Sequence, residues 1–285
     1  MSQAFALAVL AVALLSGMDA LIKAQAIAFS IPQIALLRFL FGSLAILVAI
    51  AIVRPPRPRL ESVLANGWRA VLNVATSLTF YFALSRLPLA ETLALSLLSP
   101  CFTVVFGALL LRERVGRPVV IALIIGFLGM LLIVSPNFGG ASASVAALEG
   151  TFAVLLSTLT YSLSLVLLRS RATRDHTMTI VAVQNIGSAL ILGLLAPLAP
   201  ARLWAPLASS DLVHFAGIGL LGVVGHLVIA KAYSLAPAGR MALADYTALI
   251  FGAIYGYLFF AETPAWTTIA GALLIIASSL TATRR

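Results

Sequence analysis

Charge is what this chain has least of. Of its 285 residues only 9% are Asp, Glu, Lys or Arg, against roughly a quarter in an ordinary soluble domain. That leaves too little polar surface to cover a water-soluble globule, and it excludes solvated coiled coils and disordered tails as well. A single cysteine, Cys101, excludes an intramolecular disulfide framework. It lies inside an apolar run and reads as a small packing residue. The three histidines (His176, His214, His226) are far apart, and no metal-ligand spacing, nucleophile elbow or phosphate-cradling glycine loop is present. An integral-membrane enzyme is the rival reading from another class, and the sequence offers it no motif. No cofactor is expected. Acidic residues number only nine against eighteen basic ones, a net charge of +9. The basic residues are scattered between apolar segments rather than gathered in a stripe, so no nucleic-acid partner is expected.

What the chain has in abundance is apolar length. Hydrophobic residues make up 62% of it and the mean hydropathy is +1.11. Spans of about 20 apolar residues each cross a bilayer. Turn residues and charges divide the sequence into ten of them, near 3–27, 31–53, 66–86, 89–111, 118–135, 148–168, 177–198, 211–235, 239–261 and 264–283. The apolar N-terminus has no basic residue before it and reads as a retained first span. The runs are too long for barrel strands. The expected fold is therefore an all-α integral membrane protein with ten transmembrane helices.

Lys and Arg in alternate loops set the orientation. Fourteen (Arg54, Arg57, Arg59, Arg69, Arg112, Arg114, Arg117, Arg169, Arg171, Arg174, Lys231, Arg240, Arg284, Arg285) fall on one side and two (Arg86, Arg202) on the other. The basic side is cytoplasmic, and both termini lie there. Trp68, Trp204 and Trp266 fall near span ends and suit an interfacial belt.

The chain also repeats itself. At an offset of 149, spans three to five align without a gap on spans eight to ten: Ala83 on Ala232, Ser85 on Ser234, Pro88 on Pro237, Phe102 on Phe251, Gly107 on Gly256 and Glu113 on Glu262. Spans one and six match more weakly, as Leu14-Leu15-Ser16 against Leu155-Leu156-Ser157. Each half holds five spans, an odd number, so residues 1–145 and 146–285 form two repeats of inverted topology. Glu113 sits among arginines while Glu262 has no basic neighbour, as opposite insertion requires. Inverted repeats mark alternating-access carriers with the substrate held near the midplane.

These features resemble the drug/metabolite transporter superfamily, specifically the ten-helix EamA type. The resemblance rests on the two five-helix halves, Gly17–Lys23, Leu37-Arg38-Phe39, and the span endings Leu111-Arg112-Glu113-Arg114 and Phe260-Ala261-Glu262-Thr263. Ser16 stands where that family commonly has tryptophan. The resemblance implies a multi-pass protein of the bacterial inner membrane that exports amino acids, aromatic ones included, or related metabolites. Its partners would be a small-molecule substrate and the lipid bilayer, with protons as a candidate coupling ion. Export of cationic drugs, and uptake of another small metabolite, remain as alternatives.

Polar groups at lipid depth are costly unless they face protein or water, so one-faced polar stripes point to a cavity. Span three carries Asn73, Thr76, Ser77 and Phe80 at i, i+3, i+4 and i+7, followed by Tyr81. Span six carries Ser157, Thr160, Tyr161 and Ser164 at the same spacing. Interhelical hydrogen bonding by small polar residues is the competing reading. The repeat offset pairs Ser77 with His226 and Ser96 with Asp245, beside Ser99 and Tyr246. Pro100 removes a helix hydrogen bond and frees the Ser96 carbonyl. Asp19 and Lys23, four apart on one helix, and Arg38 in span two make a second cluster. It is either an ion-pair network or a gate or recognition point for a carboxylate.

Overall fold

The computed structural model describes residues 3–111, 117–135, 144–171, 175–235, 244 and 247–283. Eleven α-helices lie among them: α1 (Gln3–Gln25), α2 (Ile31–Val53), α3 (Leu60–Arg86), α4 (Leu89–Ser96), α5 (Ser99–Leu111), α6 (Arg117–Val134), α7 (Val145–Arg171), α8 (Thr177–Leu195), α9 (Ser209–Leu235), α10 (Thr247–Phe260) and α11 (Trp266–Thr283). No strand occurs among the described residues. The all-helical expectation holds.

Local chemistry sets several boundaries. Ser30 caps α2, its hydroxyl accepting the Gln33 N–H at 3.4 Å, with Pro32 in the first turn where no donor is needed. Arg54 ends that helix in the left-handed region (φ 51) before Pro55-Pro56, which cannot continue it. At the end of α10, Ala261 adopts φ 54, and Glu262 N–H reaches back six residues to the Gly256 carbonyl at 3.0 Å. This closure, seldom made by a residue other than glycine, turns Glu262 back toward the helix bundle.

The fourth span differs from one continuous helix. α4 stops at Ser96, and Leu97 and Leu98 donate to carbonyls three residues back (3.2 Å each) before α5 begins. Pro100 has no N–H to give to Ser96, and the break falls there. Five helices are long and apolar enough on their own to cross a membrane: α1, α2, α7, α8 and α9. α3 has the length but not the hydropathy, because one of its faces is polar.

Which helices touch follows a two-fold rule. α1 packs on α9 as α3 packs on α7, and α2 packs on α9 as α8 packs on α3. α1 meets α10 as α7 meets α4 and α5, while α2–α8 and α6–α11 are each matched to themselves. These pairs are kept when the first half is exchanged for the second, whereas the contacts of α1 with α3 and of α11 with α4 and α5 have no counterpart of similar extent among the described residues. The largest apolar core joins α1, α2, α3, α4 and α9 around Phe39, Ile34, Leu84 and Phe215. Large apolar side chains also cover the outside, among them Leu44, Leu194, Phe259 and the two tryptophans Trp68 and Trp266. Such a surface requires a lipid solvent.

Candidate substrate-binding site

A cavity of about 230 Å³ lies at the centre of the bundle. α1 contributes Ser16, Met18 and Asp19; α2 contributes Arg38; α3 contributes Asn73, Thr76, Ser77, Phe80 and Tyr81. Ser96 and Ser99 stand on either side of the break between α4 and α5. The second half adds Ser157, Thr158 and Tyr161 from α7, His226 from α9 and Ala248 from α10. Both halves therefore line one space, and the two-fold partners Ser77 and His226 both face it. The carbonyl of Gly222 accepts a hydrogen bond from His226 Nδ1 at 2.6 Å, which orients the ring on α9.

Two residues of the span-six stripe point elsewhere. Thr160 shares a 2.7 Å hydrogen bond with Thr76, so it holds α7 against α3 rather than lining the cavity. Ser164 is buried, and its carbonyl accepts from Arg69 Nε at 3.3 Å. Asp245 and Tyr246 lie outside the described residues.

The trio of charges in the first two spans divides. Lys23 Nζ pairs with Glu262 Oε1 at 2.6 Å and donates to the Leu87 carbonyl at 2.6 Å. Glu262 Oε2 in turn accepts the Leu89 N–H at 2.8 Å, at the start of α4, where the helix dipole favours a carboxylate. Lys23 is thus no partner of Asp19 and no part of the cavity. Asp19 and Arg38 both line the cavity and are both buried, yet they form no ion pair within 4 Å among the described residues. Arg38 Nε and Nη1 have no hydrogen-bond partner among the described residues. The guanidinium lies over the Phe39 ring at 4.1 Å.

Arg69 escapes the sequence reading. Counted there with the cytoplasmic loops, it is 5% exposed and lies between α3, α7 and α8. Its Nη1 donates to Asn66 Oδ1 (3.2 Å) and its Nη2 to Gln184 Oε1 (3.4 Å). Gln184 Nε2 continues to Asn73 Oδ1 (3.1 Å), and Asn66 Nδ2 reaches Asp175 Oδ2 (2.9 Å). A string of polar groups thus runs from Asp175, beyond the end of α7, to the cavity wall at Asn73. The signal was present: Asn66, Arg69, Asn73 and Thr76 continue one stripe at helical spacing. A second, wider hollow of about 760 Å³ between α2, α3 and α8 is walled by Leu64, Trp68, Ile186 and Leu190 and by the Pro55–Pro58 connection. It holds no comparable set of polar groups.

A polar cavity shared by two matching halves, inside a lipid-facing helical shell, can take up a small solute. The EamA-like transporter family matches this chain twice, over residues 3–135 and 148–284. The chain belongs to that family. This EamA-like transporter is 31% identical over 280 residues to the pseudopaline exporter CntI of Pseudomonas aeruginosa, covering 98% of this chain and 95% of the relative. It is 29% identical to human solute carrier family 35 member G1 over 76% of this chain and 61% of that one. The S-adenosylmethionine uptake transporter of Rickettsia prowazekii is 20% identical, over 87% and 81% of the two chains. A solved crystal structure shares the fold with a TM-score of 0.69 over 99% of both chains, at 20% identity. The EamA-like transporter is accordingly a membrane transporter with an all-helical, two-repeat architecture.

Proposed function

We propose that the protein exports amino acids and related small metabolites across the bacterial inner membrane as a secondary or facilitative carrier. The two repeats, residues 1–145 and 146–285, insert in opposite directions in ten spans with both termini cytoplasmic, and alternate access to the central cavity. The observation that carries this reading is the cavity itself, polar on several faces and walled by both halves. Its volume of about 230 Å³ falls below the roughly 300–1,000 Å³ of drug-sized sites and suits a small solute. The hydroxyls of Ser77, Ser96, Ser99 and Ser157 supply orienting hydrogen bonds, and Phe80, Tyr81 and Tyr161 supply apolar and aromatic contact. The relative named as an exporter supports outward movement, and the charge asymmetry, thirteen to two once the buried Arg69 is set aside, supports the orientation. Uptake is the second reading, favoured by the relative named as an uptake transporter.

Counterflow in proteoliposomes tests this. Labelled amino acids should accumulate saturably against an unlabelled excess inside, and unlabelled congeners should compete. A folded preparation that moves none of the panel sinks the amino-acid assignment. Repeating the assay across a pH gradient reads proton coupling directly.

Asp245 gives a sharper expectation. The repeat places it opposite Ser96, and Ala248, three residues on, lines the cavity. Asp245→Asn removes the charge and keeps the shape. Losing a charge-assisted hydrogen bond to substrate or proton costs about 1.5–3 kcal/mol, so kcat/KM in counterflow should fall roughly 10- to 100-fold. The thermal midpoint in detergent should stay within about 2 °C of the parent. Unchanged transport removes Asp245 from the site.

A further inference from the structure

Buried polar groups in folded proteins almost always find partners, and a buried charge even more so. Arg38 is 4% exposed and Asp19 is 8% exposed, and both line the central cavity. Arg38 is a cation whose Nε and Nη1 have no hydrogen-bond partner among the described residues, and Asp19 is a carboxyl with no ion pair among them. The cation that sequence spacing would lend to Asp19, Lys23, is taken by Glu262 at 2.6 Å. A guanidinium and a carboxyl therefore stand at one small cavity without pairing with each other.

We infer that Arg38 and Asp19 form a split-charge subsite that selects zwitterions, Arg38 receiving the substrate carboxylate and Asp19 its ammonium. The inference rests on the carrier reading above and adds to it the charge class of the substrate and the residues that read it. The physical argument is charge balance. A cation bound here satisfies Asp19 and leaves Arg38 uncompensated in low dielectric. An anion does the reverse. Only a molecule carrying both signs a few ångströms apart satisfies both at once. A guanidinium suits the carboxylate because its planar fork donates two parallel N–H bonds.

α9 makes room for this arrangement. A Cβ at Gly222 would meet Met18 Sδ at 3.0 Å and already stand in van der Waals contact with Arg38 Nη2 at 3.4 Å, so branches beyond the Cβ would press on the guanidinium. The same residue's carbonyl holds His226 Nδ1. Gly222→Val therefore offers a way to displace the guanidinium without deleting its charge.

Three probes of different charge test the inference: phenylalanine (zwitterion), phenylalaninamide (cation) and N-acetylphenylalanine (anion). Binding is read as ligand-induced thermal stabilisation of purified protein, and transport as inhibition of counterflow. The parent protein should bind phenylalanine roughly 100-fold more tightly than either analogue, because each analogue leaves one site charge unpaired. Arg38→Gln should remove the preference over the amide and keep the preference over the N-acetyl acid. Asp19→Asn should do the opposite. Gly222→Val should weaken phenylalanine about tenfold while leaving the amide unchanged, and it answers the question if Arg38→Gln does not fold. Equal binding of the three probes by the parent overturns the inference, as does a preference that survives in Arg38→Gln or, failing that variant, in Gly222→Val. The two readings separate cleanly. Zwitterion-selective binding without counterflow sinks the carrier assignment alone, whereas counterflow indifferent to probe charge sinks the split-charge subsite alone.

Discussion

Gly129→Val leaves little folded protein. α6 and α11 cross at Gly129 and Gly271, backbone against backbone. A Cβ on Gly129 would stand 2.7 Å from the Gly271 carbonyl oxygen and 2.8 Å from Ile275 Cγ1. A Cβ on Gly271 would stand 2.5 Å from the Gly129 carbonyl oxygen. Flexible side-chain ends can step aside from such contacts; carbonyl oxygens within two helices cannot unless the helices part. Without a hydrophobic drive between helices in lipid, close van der Waals packing of this kind holds spans together. Overpacking costs about 1–3 kcal/mol in a yielding core, and the valine belongs at or above the top of that range. Against a typical total of about 5–15 kcal/mol, the monodisperse peak on detergent size exclusion should shrink several-fold and the melting midpoint should fall. Gly193→Ala is the control, because nothing lies within 4 Å of a Cβ there. A Gly129→Val protein that elutes and melts like the parent would refute the close crossing.

Lys23→Ala should be the next most damaging change. Lys23 holds three elements together: its own helix α1, the Leu87 carbonyl between α3 and α4, and Glu262 after α10. Side-chain exposures of 14% and 22% for the pair put it between a buried bridge and a surface one. Breaking a fully buried pair costs about 3–5 kcal/mol; discounted for solvent, about 2 kcal/mol is expected here. Glu262 loses its cation but keeps the Leu89 N–H at 2.8 Å, so the Lys23→Ala, Glu262→Ala double variant should fall well short of the sum of the singles. A double-mutant cycle of melting midpoints checks this. Additive losses would mean that the contact contributes nothing. If the midpoints hold while counterflow changes, the pair works as a gate between conformations rather than as a brace.

Glu262 also shows how far the linear sequence reached. Its lack of a basic neighbour was legible, and it spoke there only for the opposite insertion of the two halves. That the partner is Lys23, far away in the chain, depended on α10 closing through the left-handed Ala261 and turning Glu262 toward α4. Spacing of four on one helix instead suggested Asp19 for Lys23, since pattern reading sees neighbours along a helix and not across helices. Arg69 teaches the same lesson. An arginine near a helix end counts as cytoplasmic in a loop tally, whether it faces water or, as here, Ser164 and Gln184.

The polar stripe of the third span was legible because helical period alone puts Asn73, Thr76, Ser77 and Phe80 on one face, and that face lines the cavity. The stripe of the sixth span was half legible. Ser157 and Tyr161 line the cavity, but Thr160 turns to Thr76, and Ser164 is buried outside the lining, its backbone carbonyl accepting from Arg69. Periodicity gives a face about 100° wide and does not say which neighbouring helix each part of that face meets.

Composition by itself determined that this chain lives in lipid as a bundle of helices, because its few charges cannot cover a globule and its backbone must satisfy itself. Its internal repeat by itself announced two matching halves. Only the tertiary structure decided which polar residues share a space and which charges find partners. Those outcomes turn on the angles and distances at which helices cross, set by backbone contacts such as Gly129 on Gly271 and by the turn at Ala261. No count along the chain contains them.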